Sequence, residues 1–255
     1  MGWPADIPAA AHLFVASAHG LTDVVDVEGE DGHHLARVLR LRAGEGVTVA
    51  DGSGRWRAYR VCGVGKAGEG ATAVRLEATG ARQQEPVPEP RLGVAFALTK
   101  GDKPELVVQK LTELGVDRIL PVVAERSVAR PDTARAAAAL ERWRRIAREA
   151  ARQCRRATLP VVEPLAPLAD LAGHPGLVVA ERGGSAAGGL GAPLDGEILV
   201  VVGPEGGLTD GEVDALAPWA RLDLGPHILR AETAALAAAA LLAARRSASG
   251  EPTCG

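Results

Sequence analysis

The sequence predicts an α/β protein in two parts, a small N-terminal β-barrel followed by a C-terminal domain built on a parallel sheet. Three observations carry this. Up to about Ala78, short strand-like runs are separated by Gly-rich turns. Beyond Pro90, continuously apolar runs alternate with helix-like stretches, the pattern of parallel strands covered on both faces. Between them, residues 81–90 read Ala-Arg-Gln-Gln-Glu-Pro-Val-Pro-Glu-Pro, with three prolines and little to bury, which marks a linker. The expected domains are therefore 1–80, a barrel, and 91–255, an α/β domain, joined by 81–90.

In the first part the expected strands are Leu13 to Ala16, Val24 to Val27, Gly46 to Ala50, Trp56 to Val61 and Ala71 to Ala78, which a small barrel would close. One helix, Asp31 to Arg40, interrupts them, with Leu35, Val38 and Leu39 on a shared face. In the second part the strands are Leu92 to Leu98, Ile119 to Ala124, Leu177 to Ala180, Ile198 to Val202 and Leu222 to Leu224. The first helix begins at Pro104, which suits a first helical turn. It places Leu106, Val107, Leu111 and Leu114 on one face and meets a C-terminal Gly115. A long helix follows from about Thr133 to Arg156, a short one near Asp210 to Leu216, and a final one after Thr233. The final helix is almost entirely Ala and Leu and should be covered nearly all round, by the core or by a second copy of the chain.

Composition narrows the function. A chain of 255 residues, 47% of them hydrophobic, has enough apolar surface for a large core and is not disordered. The net charge of −3 gives no global sign of a nucleic-acid binder, so such a role must rest on local clustering. Arginines outnumber lysines 25 to 4, so arginine enrichment alone says little. Three widely spaced cysteines, Cys62, Cys154 and Cys254, make neither a disulfide framework nor a zinc site, and the reducing cytoplasm is the expected compartment. Residues 1–8 lack the basic and apolar segments of a secretory signal, and the longest apolar stretch, Ala234 to Ala244, is too short to cross a bilayer. No His-Glu-x-x-His pair or other metal-ligand spacing occurs, so no metal is expected.

Gly63-Val-Gly65-Lys-Ala-Gly68 has dinucleotide-loop spacing, but a turn and a strand follow where a helix is required, so it reads as an ordinary β-turn. The long helix is more informative: between Arg135 and Arg156 there are eight arginines against Glu141 and Glu149. That is either a solvated helix with partial pairing or a phosphate-contacting surface. With Arg37, Arg40, Arg42, Arg55, Arg57 and Arg60 of the first part it would form one basic face, to which Arg145, Arg152, Arg155 and Arg156 contribute.

Two turns near the C-terminus carry the strongest signal, Val202-Gly-Pro-Glu-Gly-Gly-Leu-Thr209 and Leu224-Gly-Pro-His-Ile-Leu-Arg-Ala-Glu-Thr233. Each follows an apolar run and leads into a helix, so two strand ends present backbone to one place, where α/β sheets bind ligands. With these turns, the segments His33 to Leu41, Asp51 to Gly54, Leu98 to Lys103, Gln109 to Val116, Glu125 to Ser127 and Glu149 to Arg156 resemble, in order, the RsmE family of bacterial 16S ribosomal RNA uridine-N3 methyltransferases, within the SPOUT superfamily.

The resemblance implies a PUA-like N-terminal barrel, a C-terminal domain with a deep trefoil knot, a homodimer, S-adenosylmethionine as cofactor and 16S ribosomal RNA of the small subunit as substrate. It places the cofactor on Val202, Gly203, Pro204, Glu205, Gly206, Gly207, Leu224, Gly225, Ile228, Leu229, Arg230 and Thr233, and RNA on the basic face together with Lys100 and Lys103. For the chemistry, Arg230 is expected beside the uracil oxygens, with Glu232 orienting it or acting with water as base, and Glu205 as the alternative base. The competing expectations are a methyltransferase of the same fold with another RNA target, and an RNA-binding assembly factor without catalysis.

Overall fold

The computed structural model describes residues 3–15, 20–66, 72–191 and 196–249. Ala16, Gly68, Ala71 and Cys254, named above, lie outside these residues. The chain forms two compact units, one of Met1–Val87 with Ala151–Leu159, the other of Pro88–Ala150 with Pro160–Gly255.

The first unit contains strands β1 (Ala11–Phe14), β2 (Val24–Val27), β3 (Gly46–Ala50), β4 (Arg55–Lys66), β5 (Thr72–Ala78) and β6 (Gln83–Gln84). They form one sheet in the order β1-β3-β4-β5-β2, with β6 on β4. Alternation along the strands sorts the residues. Val47, Val49, Tyr59, Val61, Val74 and Leu76 are buried together with Leu13, Leu21 and Leu35, while Arg60 and Arg75 pair with Glu77 and Asp26 on the exposed side. Gly63 and Gly65 sit in β4 beside a bulge rather than in a turn, and the next element among the described residues is strand β5.

Helix α1 (Gly29–His33) passes directly into a π-helical turn, His34–Val38, in which the Leu39 amide reaches back to the His34 carbonyl. The wider turn rotates the apolar face. Leu35 is fully buried, but Val38 and Leu39 are 61% and 42% exposed, so the three do not share a buried face as the sequence suggested.

Residues 151–159 are held in the first unit by a buried carboxylate. Glu85 accepts the backbone amides of Ala157 and Thr158 at 3.1 and 2.7 Å and the Thr158 hydroxyl at 2.7 Å. Nearby, His12 is buried with Nε2 2.9 Å from the Arg156 carbonyl and Nδ1 2.8 Å from the Thr48 hydroxyl. A carbonyl can only accept, so Nε2 donates and Nδ1 accepts from Thr48. Burial pushes the His12 pKa down to about 4, which keeps the ring neutral.

The second unit contains β7 (Arg91–Ala97), β8 (Arg118–Val123), β9 (Val161–Val162), β10 (Ala166–Pro167), β11 (Leu177–Ser185), β12 (Glu197–Val202) and β13 (Ala220–Leu222). All pair in parallel in the order β10-β8-β7-β12-β11-β13, with β9 on β8. Both faces are covered, which explains the unbroken apolar runs. Val94, Phe96, Ile198, Val200 and Val202 pack under α2 (Lys103–Glu113), α3 (Thr133–Cys154) and α5 (Ala231–Ser249). Ala95, Leu199 and Val201 face Leu168, Leu171 and Leu216, the last from α4 (Asp210–Leu216).

Helix ends follow the local sequence. Gly115 closes α2 at φ +82°, with the Val116 amide returning to the Leu111 carbonyl. Helix α3 stops at Cys154 because Arg155 adopts φ +58°, a left-handed cap without glycine. The Arg155 guanidinium, donating to the Ile7 and Ala9 carbonyls, offsets that strain. Helix α5 buries Ala231, Ala235, Ala238, Ala239 and Leu242 but leaves Thr233, Ala240, Leu241 and Ala244 exposed, so within one chain it is covered on one side only.

Candidate active site

The carboxyl ends of β7, β8, β11, β12 and β13 lie at one edge of the second unit's sheet, the edge where open α/β sheets bind ligands. Three chain segments enclose a cavity of ≈ 280 Å³ there: residues 179–182 of β11, the 202–208 turn after β12 and the 224–231 turn after β13. Its walls combine apolar side chains, Val179, Val202, Leu224, Leu229 and Ala234 among them, with the polar Glu181, Arg182, Glu205 and Asp210. Of the cofactor residues expected from sequence, Val202, Gly203, Pro204, Glu205, Gly207, Leu224, Gly225, Ile228 and Leu229 line it. Gly206, Arg230 and Thr233 stand beside it in the chain, exposed, and Ile228 is 84% exposed at its rim.

Glycine has a steric reason at each corner. Gly207 and Gly225 take φ +72° and +120°, which disfavour any side chain. A Cβ on Gly203 would lie 3.0 Å from the Leu208 side chain. The Gly-rich stretch after Glu181 also finds its place. The pairing of β11 with β13 skips from Ala180 to Ser185, and a Cβ on Gly184 would sit 2.7 Å from the Arg221 backbone. Asp223 braces this corner, accepting the amides of Gly225 at 2.7 Å and Gly183 at 2.9 Å.

The 203–209 turn is braced from β8. Glu212 accepts the Thr209 amide at 2.9 Å and the Glu125 amide at 2.7 Å, while the Thr209 hydroxyl caps α4 through the Glu212 amide at 3.2 Å. Arg126 donates to the Gly206 carbonyl at 2.8 Å. Burial raises the Glu212 pKa, but the amides, the Thr209 hydroxyl and the Arg126 charge together outweigh it and hold the carboxyl below its ordinary range. Thr209-Asp-Gly-Glu212 is a Thr-x-x-Glu capping box before an apolar run, so this brace was readable from sequence. The Glu125, Arg126 and Asp223 contacts, made across the fold, had no such local signal.

Beside the cavity lies an ion cluster. Lys103, entering from the segment after β7, stands 3.1 Å from Glu232 Oε1 and 3.7 Å from Glu205 Oε1. Burial pushes the Glu232 pKa up. Its own backbone amide, Lys103 and the field of Arg230 push it down further, so the carboxyl stays below its usual range and ionised. Glu232 Oε2 is buried with no hydrogen-bond partner among the described residues. The ion-pair partner of Glu232 is thus Lys103, with exposed Arg230 acting only at longer range.

The other expected RNA contacts divide. Arg37, Arg40, Arg42, Lys100 and Arg145 are exposed. Arg152 pairs with Asp31 at 3.2 Å, Arg155 is bound to the Ile7 and Ala9 carbonyls, and Arg156 reaches the Thr158 hydroxyl at 3.5 Å. Among the described residues there is no His, Cys, Asp and Glu cluster able to hold a metal, and no helix long and apolar enough to cross a membrane.

Comparison with known proteins agrees with this geometry. A family model described as the RNA methyltransferase domain matches residues 86–243, and another, the RNA methyltransferase PUA domain, matches 27–66. The class is therefore that of the RNA methyltransferases. Ribosomal RNA small subunit methyltransferase E of Mycobacterium bovis is 37% identical over 226 residues, covering 84% of each chain, and that of Bacillus subtilis is 34% identical, covering 82% of this chain and 86% of its own. The crystal structure of ribosomal RNA small subunit methyltransferase E from Neisseria gonorrhoeae bound to S-adenosyl methionine superimposes with a TM-score of 0.74 at 30% identity, covering 90% of this chain and 95% of that one. The chain belongs to the ribosomal RNA small subunit methyltransferase E family.

Proposed function

We propose that this protein transfers the methyl group of S-adenosylmethionine to N3 of one uridine in the 16S ribosomal RNA of the small subunit. The cavity between the 202–208 and 224–231 turns carries the reading. Its apolar side chains, Val179, Val202, Leu224 and Leu229, and its left-handed glycines suit a flat adenine ring held by backbone groups, and its polar side chains suit the rest of the molecule, so the residues fit the cofactor. Val202 to Gly207, Leu224, Gly225, Ile228, Leu229, Arg230 and Thr233 would hold it. Bound there, S-adenosylmethionine supplies a methyl already activated by its sulfonium.

The chain's own task is alignment and charge. Holding a nucleophile in line with the methyl removes several kcal/mol of barrier. Arg230, which is exposed, offers a positive charge for the uracil oxygens, which gain negative charge as N3 loses its proton. Glu232, kept ionised beside Lys103, accepts the N3–H hydrogen bond and passes the proton to water. Glu205 is half exposed and is the secondary candidate for that role.

The first unit, as a PUA-like barrel over 1–80, and the exposed Arg37, Arg40, Arg42, Lys100 and Arg145 would hold RNA by its phosphates. A trefoil knot through the 202–209 and 224–233 turns, a homodimer joined over the uncovered side of α5 and a cytoplasmic location complete the reading. Its test is transfer of labelled methyl to small ribosomal subunits lacking their native modifications, followed by nucleoside identification. The expected product is 3-methyluridine in 16S RNA. Absence of both transfer and cofactor binding would leave an RNA-binding protein without catalysis.

A further inference from the structure

Among the basic residues expected to contact RNA, Lys103 stands apart. It enters from the segment after β7, in front of Pro104, and is only 33% exposed. Its ammonium lies between two carboxylates from two other segments, Glu205 after β12 and Glu232 at the start of α5. An ammonium engaged this way is poorly placed to neutralise a phosphate. Each carboxylate oxygen can accept hydrogen bonds, and Oε1 of Glu232 has Lys103 beside it while buried Oε2 has no partner among the described residues. A buried acceptor left without a donor is costly unless a ligand supplies one.

We propose that Lys103 is a positioning residue of the methyl-transfer site, which grips Glu232 through Oε1 so that Oε2 is presented, ionised and fixed in direction, to the incoming base. This rests on the function proposed above. The donor it awaits is an imide N–H, the one donor on the edge of uracil that must also leave as a proton. Glu205, on the cavity wall, shares the same ammonium, so the grip couples the carboxylate to the turn that lines the cavity. The charged groups facing Glu232 are Lys103 and Arg230, with Glu205 reaching it only through Lys103. Removing Lys103 leaves Arg230 and the helix start to hold the carboxylate ionised, and burial then weighs more heavily.

The test compares the full-length protein with Lys103→Met and Lys103→Arg. The titration of Glu232 is followed by carbon NMR of labelled glutamates without cofactor, its signal assigned by Glu232→Gln. RNA affinity, cofactor affinity and turnover against pH are measured in parallel. In Lys103→Met the Glu232 titration should move to higher pH, carrying the acid limb of turnover with it. Turnover should fall by about 10- to 100-fold, as expected when one charge-assisted hydrogen bond is lost from the transition state, with RNA affinity unchanged. Lys103→Arg should restore the titration and most of the turnover. An unmoved Glu232 titration, or an RNA affinity that falls while turnover at saturating RNA holds, overturns the proposal and returns Lys103 to the phosphate contacts. If the unsubstituted protein transfers no methyl, the methyltransferase reading fails, and the NMR titration still decides whether Lys103 governs Glu232.

Discussion

Glu212→Ala should loosen the 203–209 turn without touching the cavity. The carboxylate joins three segments, since Oε1 takes the Glu125 amide at 2.7 Å after β8 and Oε2 the Thr209 amide at 2.9 Å after β12, both from the first turn of α4. A hydrogen bond to a charged group contributes about 1.5–3 kcal/mol. Glu125 is exposed, so water will replace part of what its amide loses, and the Thr209 bond is one half of a capping box worth about 1 kcal/mol. The expected loss is about 2–3 kcal/mol of the second unit's stability, measured by urea unfolding. Calorimetric titration should show weakened S-adenosylmethionine binding, because the 203–209 turn loses its tie to β8. The pH dependence gives a second check. The folded pKa of Glu212 is depressed, so its contribution is complete above the ordinary carboxylate range and is lost as pH falls through the depressed folded value. Glu212→Gln should lack that acid-side loss. Stability within 0.5 kcal/mol of the parent, roughly the scatter of neutral surface changes, together with unchanged cofactor affinity would refute the bracing argument.

Three further outcomes are expected. Arg230→Ala should cut turnover by about 100-fold or more while lowering cofactor affinity far less; collapse of binding, with turnover at saturating cofactor little changed, would confine Arg230 to holding the cofactor. Gly225→Ala places a side chain at φ +120° and should cost about 1–3 kcal/mol of strain, seen as lost cofactor binding in titration calorimetry, and undiminished affinity would mean that this corner does not shape the site. The neutral burial of His12, with its pKa at about 4 against 6.5, makes the first unit lose roughly 3 kcal/mol as pH falls between those values, because only the unfolded chain takes the proton there. Urea unfolding of His12→Asn should show that slope removed, and an unchanged slope would assign it to other groups.

Much of the second unit was legible because parallel strands under two layers of helices must be apolar on both faces, and runs such as Ile198 to Val202 say so without tertiary knowledge. The ends of α2 were legible for a local reason too, with Pro104 and Gly115 acting through their own backbone angles. The glycine turns announced the corner of the cavity, because a left-handed or crowded backbone position admits little else. Charge read less well. In a list of basic residues Arg152 and Arg155 look alike, yet one pairs with Asp31 and the other satisfies carbonyls 146 and 148 positions away.

The sequence by itself therefore determined the α/β class, the place of the two turns and the family, since these depend on periodicity, local backbone geometry and ordered motifs. Only the tertiary structure decided which charges meet. Lys103 with Glu232, Arg126 with Gly206 and Glu85 with Thr158 are joined across 129, 80 and 73 positions of chain. Such pairings are set by the order of strands in a sheet, and no local pattern records them.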